Sequence, residues 1–382
     1  MTPTRPIWAE ISKKKLLHNY EWLRELAGPQ TELLAVVKAN AYGHGLAACA
    51  GALVECGAGW LGVTCVEEGV ALRQMCPDSR ILIMTGMWHG EADAVIEHRL
   101  TPVVWEAVHL SWLEAAAQKQ GLGAGQIPVH LEIDTGMSRQ GVAPEQLELL
   151  LNHFSPGSLL RLEAVMTHFH SPGNEEATRQ QEGVLARAVD CITGKELRPQ
   201  FVSAGSSAAG LQEGTGFVHE LAARMGARRL LRPGIGLYGY PPSDEHRSEL
   251  QPVLSWKTRV VALREIEPGT SVGYDATFIA RRRTQLALLP VGYADGLNRL
   301  LSNQGWMLVR GQRAPIAGRI SMDHAVVDVT EIAGVERGDE VTMIGEQGGK
   351  QVTAADMARL CGTIAYEVLC GIGARVPRVL VD

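Results

Sequence analysis

The alternation of short apolar runs with helix-like stretches is the feature that most limits how this chain can fold. The candidate strands are 33–38, 60–65, 81–86, 101–104, 127–134, 161–168, 200–204 and 231–237, and helical patterns between them include 67–75, 106–120, 144–152 and 175–192. Eight strands alternating with helices over about 200 residues predict a (β/α)8 barrel of the α/β class. A doubly wound open sheet is the rival, but no G-x-G-x-x-G motif follows the first strand.

Residues able to take part in chemistry lie at the C-terminal ends of these candidate strands. Lys38 ends the first strand, Asp134 to Arg139 ends the fifth, and His168 ends the sixth. Loops rich in Gly and Ser follow the seventh and eighth strands, where barrel enzymes often bind a phosphate group. Because barrel enzymes build their active sites at this end, the pattern predicts an active site there.

Lys38 is unusual because it directly follows the apolar run Leu33 to Val37, and lysine is rarely buried without a partner. Desolvation at the junction of a strand and a loop lowers the pKa of an amine, which can then attack an aldehyde to form a Schiff base. Pyridoxal phosphate is the aldehyde most often held in this way. The strand pattern alone favours the other interpretation, a lysine whose amine extends to water.

Charge and cysteine content exclude several classes of function. The net charge of −6 argues against nucleic acid and against an anionic membrane surface as partners. No apolar run has the length of a membrane span, and Met1 to Glu10 lacks the apolar core of a signal peptide, so we expect a cytoplasmic protein. The 7 cysteines form no C-x-x-C pair, and His168 and His170 have no third ligand at a recognisable spacing, so no metal site is predicted.

The pattern changes after Tyr240, where Pro241 and Pro242 precede a polar stretch. Strand-like runs then dominate, with one helix predicted at about 353–361. These runs are 253–263, 285–291, 307–310, 324–329 and 340–344. The sequence therefore predicts two domains, a barrel over residues 1–242 that carries Lys38 and a mostly β C-terminal domain over residues 243–382.

Several separate segments, in order along nearly the whole chain, resemble alanine racemase, a fold type III pyridoxal-phosphate enzyme with a barrel and a β domain. These segments are AVVKANAYGHG (35–45), DTGMSRQG (134–141), Thr167-His168-Phe169, RPGIGLYG (232–239), VGYDATF (272–278), PVGYADG (290–296) and GRISMDHAVVD (318–328). The resemblance implies interconversion of L- and D-alanine for peptidoglycan, pyridoxal 5'-phosphate as cofactor, and a homodimer with shared active sites.

The resemblance also implies roles for individual residues. Lys38 would carry the cofactor and act as the base on one face of the substrate, and Tyr274 of the partner subunit would be the base on the other face. The cofactor contacts that the resemblance implies are Lys38, Tyr42, His168, Ser207, Arg232 and the backbone amides of Gly234 and Ile235. The implied substrate-side residues are Arg139 and, from the partner subunit, Met322 and Asp323.

The chemistry of racemisation fits these residue types. Removal of a Cα proton from one side and its return to the other requires two bases on opposite faces. The amine of Lys38 and the phenol of Tyr274 both have ordinary pKa values near 10, so their surroundings must lower them. An arginine that faces the cofactor's ring nitrogen keeps its own proton, which would favour reprotonation over competing reactions.

Two positions depart from the family pattern. Glu132 stands where the family often has a carbamylated lysine, so we expect the position of Arg139 to be independent of bicarbonate. Ala374 stands where the family often has a tyrosine, which predicts a wider pocket and more tolerance of serine.

Other interpretations of the same residues stay open from the sequence. Tyr274 could pack between layers, Arg139 could pair with Asp134, His168 could be a core histidine, and Met322 could serve packing alone. The rival functions are a racemase of broader specificity and a non-catalytic barrel that binds pyridoxal phosphate. A decarboxylase of basic amino acids on the same plan would need motifs that this chain lacks.

Overall fold

The computed structural model describes residues 4–206, 216–241 and 249–382, which form two compact units. One unit comprises Leu17–Ala41 and Cys49–Leu250, and the other comprises Met1–Leu16, Tyr42–Ala48 and Gln251–Asp382. The predicted boundary between the two domains, at residues 242 and 243, lies within residues 242–248, which are outside the described residues.

A closed barrel of parallel strands forms the centre of the first unit. Its eight strands are Thr31–Val36, Trp60–Val63, Arg80–Ile83, Thr101–Val104, Ile127–Glu132, Leu160–Met166, Phe201–Ser206 and Arg228–Arg232. The last strand pairs with the first, for example Leu33 with Leu231, which closes the barrel. Each strand overlaps one of the predicted runs, so the predicted (β/α)8 barrel is confirmed.

Helices connect the barrel strands, as the alternating pattern predicts. The described helices are Lys13–Ala27, Leu46–Glu55, Val66–Met75, Ala92–Glu97, Ala107–Lys119, Leu147–Leu151, Glu175–Gly194 and Gly216–Met225. The longest begins after Asn174, whose side chain accepts a hydrogen bond from the backbone N–H of Ala177 at 3.1 Å. Its Leu185, Val189 and Ile192 recur at helical spacing and are buried.

A cluster of charged and aromatic side chains fills the barrel near the N-terminal ends of its strands. Glu163 is buried and pairs with Arg80 at 2.6 Å, with Arg161 at 3.1 Å and with His130 at 3.4 Å. The Arg80 guanidinium also lies 3.7 Å from the ring centroid of Trp60. Because this end of the barrel is packed, a ligand site is expected at the opposite end.

The second unit is mostly β, as predicted. A 7-stranded sheet contains, in path order, Gln312–Pro315, Trp306–Val309, Glu340–Gln347, Leu254–Arg259, Ile7–Ser12 and Arg378–Val381, with Lys350–Val352 paired to Glu340–Gln347. A 3-stranded sheet contains Ala262–Ile266, Thr284–Leu289 and Ala325–Asp328, and a 2-stranded sheet contains Ser271–Val272 and Phe278–Ile279. Helix Ala354–Cys361 matches the predicted helix, and a second helix, Ala365–Cys370, follows it.

Strand Ile7–Ser12 belongs to this second unit although it lies at the start of the chain. It pairs antiparallel with Leu254–Arg259 and parallel with Arg378–Val381. The hydroxyl of Ser12 also donates to the carboxylate of Asp382 at 3.0 Å. The sequence prediction counted these residues with the barrel, because its pattern contained no sign of a pairing across more than 360 residues.

Candidate active site

Lys38 lies where the first barrel strand ends, at the C-terminal end of the barrel. Strand Thr31–Val36 stops two residues earlier, and the N–H of Val37 still bonds the carbonyl of Gly62 at 2.8 Å. The side chain of Lys38 is half-buried. The structure therefore places this lysine at the mouth of the barrel, as the sequence predicts.

The residues after Lys38 form a left-handed turn without glycine. Ala39, Asn40, Ala41 and Tyr42 have φ values of 52°, 54°, 55° and 53°. A left-handed conformation costs an L-residue about 1–2 kcal/mol. Strain of this kind persists only where surrounding contacts hold it, and it clusters at functional sites.

Arg232 is buried at the end of the eighth barrel strand. Its Nη1 donates to the carbonyl of Ser203 at 2.8 Å and to the Ser203 hydroxyl, and its Nη2 donates to the carbonyl of Thr167 at 2.8 Å. Burial lowers the pKa of Arg232 to about 10, so the guanidinium remains charged at neutral pH. These bonds fix its orientation between three adjacent strand ends.

His168 lies among positive charges. Burial, followed by the charges of Arg232, Arg139 and Lys38, lowers the pKa of His168 to about 4. The imidazole is therefore neutral at physiological pH. Lys38, Arg139, His168 and Arg232 each end or follow a strand of the parallel barrel, so all four lie at the same end of it.

The loop that carries Arg139 is built around the Asp134 carboxylate. Asp134 accepts from the backbone N–H groups of Gly136 at 2.9 Å and Ser138 at 3.1 Å, so its carboxylate stabilises the turn. Arg139 itself is exposed. Within the described ranges no ion pair joins Arg139 to Asp134, which disfavours the surface-pair interpretation of this arginine.

Glu132 is buried at the end of the fifth barrel strand and contacts Gln140. The Gln140 amide donates to the Glu132 carboxylate and, at 2.9 Å, to the carbonyl of Met84. Burial raises the pKa of Glu132, while the Gln140 hydrogen bond and the charges of Arg232 and Arg139 oppose that rise. A carboxylate thus occupies this position and balances part of the positive charge.

Three of the predicted cofactor contacts lie within the described residues near turns. Gly234 lies two residues after Arg232 and precedes the short 3₁₀ turn Ile235–Tyr238, and both Gly234 and Ile235 are buried. Tyr42 is buried, its ring centroid lies 6.0 Å from that of Tyr366, and burial raises the pKa of its phenol. The predicted Ser207 lies outside the described residues.

Tyr274 projects from a constrained loop in the second unit. Its side chain is 68% exposed, although it follows the strand Ser271–Val272. Gly273 has φ 73° and Asp275 has φ 60°, and Arg319 holds this loop through a 2.7 Å bond to the Asp275 carboxylate. This exposure disfavours the interpretation of Tyr274 as a residue packed between layers.

Met322 and Asp323 lie on a second constrained loop of the same unit. The carbonyl of Met322 accepts from the N–H of Ala294 at 3.0 Å, and the Asp323 carboxylate pairs with Arg375 at 2.6 Å. The Met322 side chain is exposed, which disfavours a purely packing role. The Arg375 hydrogen bond lowers the pKa of Asp323, so this carboxylate is ionised.

The donor set at the barrel mouth fits pyridoxal phosphate. Lys38 offers a primary amine, Arg139 and Arg232 offer fixed positive charge, and His168 stays neutral beside them. An anionic ligand with an aldehyde would satisfy both the charge and the amine. The two carbonyl bonds and one hydroxyl bond of Arg232 engage three of its five N–H donors within the described residues, which leaves donors for a ligand.

The barrel, its strand-end lysine and the cations around His168 define the class of barrel enzymes that hold pyridoxal phosphate. The family model described as alanine racemase, N-terminal domain, matches residues 11–242, and the model for the C-terminal domain of the same family matches residues 253–380. The chain belongs to the alanine racemase family. Pyridoxal phosphate is the cofactor of this family, as the sequence resemblance implies.

Individual relatives match over nearly their whole length. The chain is 38% identical over 379 residues to the alanine racemase of Halothermothrix orenii, covering 98% of this chain and 97% of that protein. It is similar to the solved alanine racemase from Streptomyces coelicolor A3(2), with a TM-score of 0.89 and 33% identity over 99% of this chain and 98% of that one. It is also similar to the alanine racemase from Bartonella henselae with covalently bound pyridoxal phosphate, with a TM-score of 0.86 and 29% identity over 98% and 99% of the two chains.

Two polar residues near the site did not emerge from the sequence. Glu68 accepts from the backbone N–H of Ala39 at 2.7 Å, and Gln140 contacts Glu132. Gln140 directly follows Arg139 in the predicted site motif, and this position alone suggests that Gln140 lies near the site. Glu68 lies 30 residues from Lys38 in the sequence, and only the pairing of the first two barrel strands brings it near.

In the residues that the structure describes, no helix is both long and apolar enough to span a membrane. Over the same ranges, no group of three or more His, Cys, Asp or Glu residues is arranged to hold a metal ion.

Proposed function

We propose that this chain interconverts L-alanine and D-alanine with pyridoxal phosphate, using Lys38 and Tyr274 as its two bases. The observation that carries the proposal is the position of Lys38 at the end of the first strand of a closed barrel whose eighth strand ends at Arg232, a buried arginine that bonds the carbonyls of Ser203 and Thr167. Family membership over both halves of the chain supports the same reaction. D-alanine from bacterial enzymes of this kind would be used in peptidoglycan.

Several residues would hold the cofactor. Lys38 would bind it covalently, Arg232 would face its ring nitrogen, and His168 would pack beside these two cations. The phosphate would lie against Tyr42, Ser207 and the backbone amides of Gly234 and Ile235. When bound, pyridoxal phosphate supplies an electron sink that acidifies the Cα proton of the amino acid.

The two proposed bases differ in where they reside. The Nζ of Lys38 would take or give the Cα proton on one face, and the Oη of Tyr274 would do so on the opposite face. Tyr274 would come from the second subunit of a homodimer. Its 68% exposure in a loop held by Arg319 supports a side chain offered to another molecule.

Arg232 would determine which reaction follows proton removal. Its pKa of about 10 means that it offers a hydrogen bond to the ring nitrogen and keeps its own proton at neutral pH. By giving no proton to that nitrogen, Arg232 would keep the cofactor a weak electron sink and would favour a rapid return of the proton to Cα. Racemisation would thereby be favoured over decarboxylation and transamination.

The substrate carboxylate would be bound by groups on two loops. Arg139 would supply a positive charge near the barrel mouth, and the loop of Met322 and Asp323 of the partner subunit would supply a backbone N–H. We place Arg139 in this role because Asp134 is engaged in its own turn, which leaves the guanidinium available.

Broader specificity is the second candidate function. Ala374 is exposed and has only a methyl side chain. It would therefore narrow the substrate pocket less than an aromatic residue at the same position would. A substrate with one more oxygen than alanine, such as serine, would then be accepted as well. Racemisation of L-serine at a rate comparable to that of L-alanine would favour this candidate.

Mixing two inactive variants tests the shared site. Lys38→Ala and Tyr274→Phe should each lose racemisation, followed by circular dichroism of L-alanine, while Lys119→Ala, a change at an exposed lysine, should not. If Tyr274 serves the other subunit, subunit exchange creates one complete site in each mixed dimer. Equal mixing should then restore about a quarter of the wild-type activity, because half of the dimers are mixed.

The outcomes of this experiment distinguish the alternatives. No recovery after verified subunit exchange would contradict a Tyr274 supplied in trans. Full activity of either single variant would remove that residue from the list of bases. A wild-type protein that binds pyridoxal phosphate without racemising any amino acid would support the non-catalytic rival.

We further propose that the enzyme acts in the cytoplasm, which fractionation of source cells would test.

A further inference from the structure

Glu68 joins the ends of the first two barrel strands through the two oxygens of its carboxylate. Oε1 accepts from the backbone N–H of Ala39 at 2.7 Å, and Oε2 accepts from the backbone N–H of Thr64 at 2.9 Å. Ala39 directly follows Lys38, and Thr64 directly follows the strand Trp60–Val63. The side chain is half-buried, and the two bonds are charge-assisted.

One of these bonds has an ordinary structural explanation. Glu68 occupies the third position of helix Val66–Met75, where a glutamate commonly bonds a backbone N–H at the start of its own helix. The bond to Thr64 is of this kind, since Thr64 directly precedes the N-cap residue Cys65. The side chain of Cys65 itself makes no capping bond. The bond to Ala39 reaches a different strand and does nothing for the helix.

The bond to Ala39 holds the strained segment at its first residue. Ala39 begins the run of four left-handed residues that follows Lys38. The first of these peptides determines the direction in which the chain leaves the strand, and therefore the direction of the Lys38 side chain. Ala41 bonds back to Val37 at 2.8 Å, so the turn is fixed at two points around the lysine.

We propose that Glu68 is a positioning residue that holds the Ala39 peptide and thereby aims the amine of Lys38 at its ligand. This inference rests on the proposed function, in which the Nζ of Lys38 condenses with the cofactor aldehyde and releases one water. Glu68 touches neither cofactor nor substrate in this scheme. It acts by keeping the left-handed turn populated before and after the amine reacts.

The variant Glu68→Gln tests the proposal with little change in shape. Its amide can accept from only one of the two N–H groups, because an NH2 group faces the other. The matched control is Glu67→Gln, on the same turn of the same helix, where the carboxylate is exposed and its side-chain partner is the Cys65 thiol. Both variants would be purified as holoenzymes and as proteins stripped of cofactor.

The main measurement is covalent attachment. Stripped protein is titrated with pyridoxal phosphate, and borohydride then delivers hydride to the C=N bond at Lys38, so that the fraction attached is read by mass spectrometry. We expect Glu68→Gln to raise the apparent dissociation constant about tenfold, equivalent to about 1.4 kcal/mol, and Glu67→Gln to leave it within about twofold. In the holoenzyme, kcat should fall while the KM for alanine stays near the wild-type value.

A cofactor-free readout separates positioning from general stability. In stripped protein, amide hydrogen exchange of the 38–42 segment should be faster in Glu68→Gln than in wild type, with a similar unfolding midpoint. If Glu68→Gln does not fold, Glu68→Asp keeps the charge but shortens the reach, and the same rise in dissociation constant is expected. Wild-type values of attachment and exchange in a folded Glu68 variant would overturn the inference, whereas failure of wild-type Lys38 to trap the cofactor would overturn the proposed function itself.

Discussion

Replacing Arg232 with glutamine should raise the pKa of His168, and the structure gives the size of the effect. The pKa of His168 is about 4, against 6.5 for an ordinary imidazole, because of burial and then the charges of Arg232, Arg139 and Lys38. That difference corresponds to about 3 kcal/mol in favour of the neutral ring. Because Arg232 is the largest of the three charge effects, its removal should raise the His168 pKa by about 1, or about 1.4 kcal/mol.

The assay is a nuclear magnetic resonance titration of protein labelled at histidine. The His168 ring signal would be assigned from the variant His168→Gln and followed from neutral to acidic pH. The matched control is Arg229→Gln, because Arg229 is a buried arginine on the same strand that contacts His219 at 2.9 Å. Arg229→Gln should leave the titration of His168 unchanged.

The same shift has a consequence for stability with a definite sign. The folded pKa lies below the unfolded one, so the unfolded chain binds the proton first as the pH falls. Stability from this group is fully present above pH 6.5 and is lost as the pH falls from 6.5 toward 4. A His168 that titrates near 6.5 in the wild type, or is unaffected by Arg232→Gln, would refute the electrostatic description of the barrel mouth.

Three further predictions concern other parts of the molecule. Glu163→Gln should lower the unfolding free energy near neutral pH by about 2 kcal/mol, a value discounted for the partial exposure of its arginine partners. Because the pKa of Glu163 is lowered in the fold, urea unfolding should show that this loss shrinks under acidic conditions. Equal stability of the variant and the wild type at neutral pH would contradict the prediction. Gly43→Ala should lower the thermal midpoint more than Gly28→Ala, because both glycines have positive φ but only at Gly43 would a Cβ clash with the carbonyl of Leu369, so equal losses would contradict the clash. Ala374→Tyr should lower kcat/KM for serine relative to alanine by about tenfold, measured with both substrates, and an unchanged ratio would show that this position does not set specificity.

The barrel and the location of its site follow from patterns that the sequence carries directly. Most of the barrel strands are short, largely apolar runs, and Lys38 and His168 lie at strand ends, where parallel strands bring side chains together. Motifs predict Arg139 and Arg232 as site residues, and the structure adds that both lie at the same end of the barrel as His168. The roles of these residues, and of Tyr274, stay predictions that the experiments above test.

Other features could not be predicted because they depend on contacts distant in the chain. The left-handed turn after Lys38 contains Ala, Asn, Ala and Tyr, and three of these four residues give no sign of positive φ. The run 253–263 was predicted as one strand, but the structure divides it into Leu254–Arg259 and Ala262–Ile266, which belong to different sheets. Helix Ala365–Cys370 has only 6 residues, too few for a clear helical period.

The pairing of Ile7–Ser12 with Arg378–Val381 has a consequence for biosynthesis. Strand Ile7–Ser12 cannot find this neighbour until residues 378–381 are translated, which at 5–20 residues per second takes roughly 20–70 s. During that time one edge of the nascent strand has exposed backbone donors and acceptors, a template for unwanted association. We therefore expect the yield of native protein in cells to depend on translation speed and on chaperones that shield the emerging N-terminal segment.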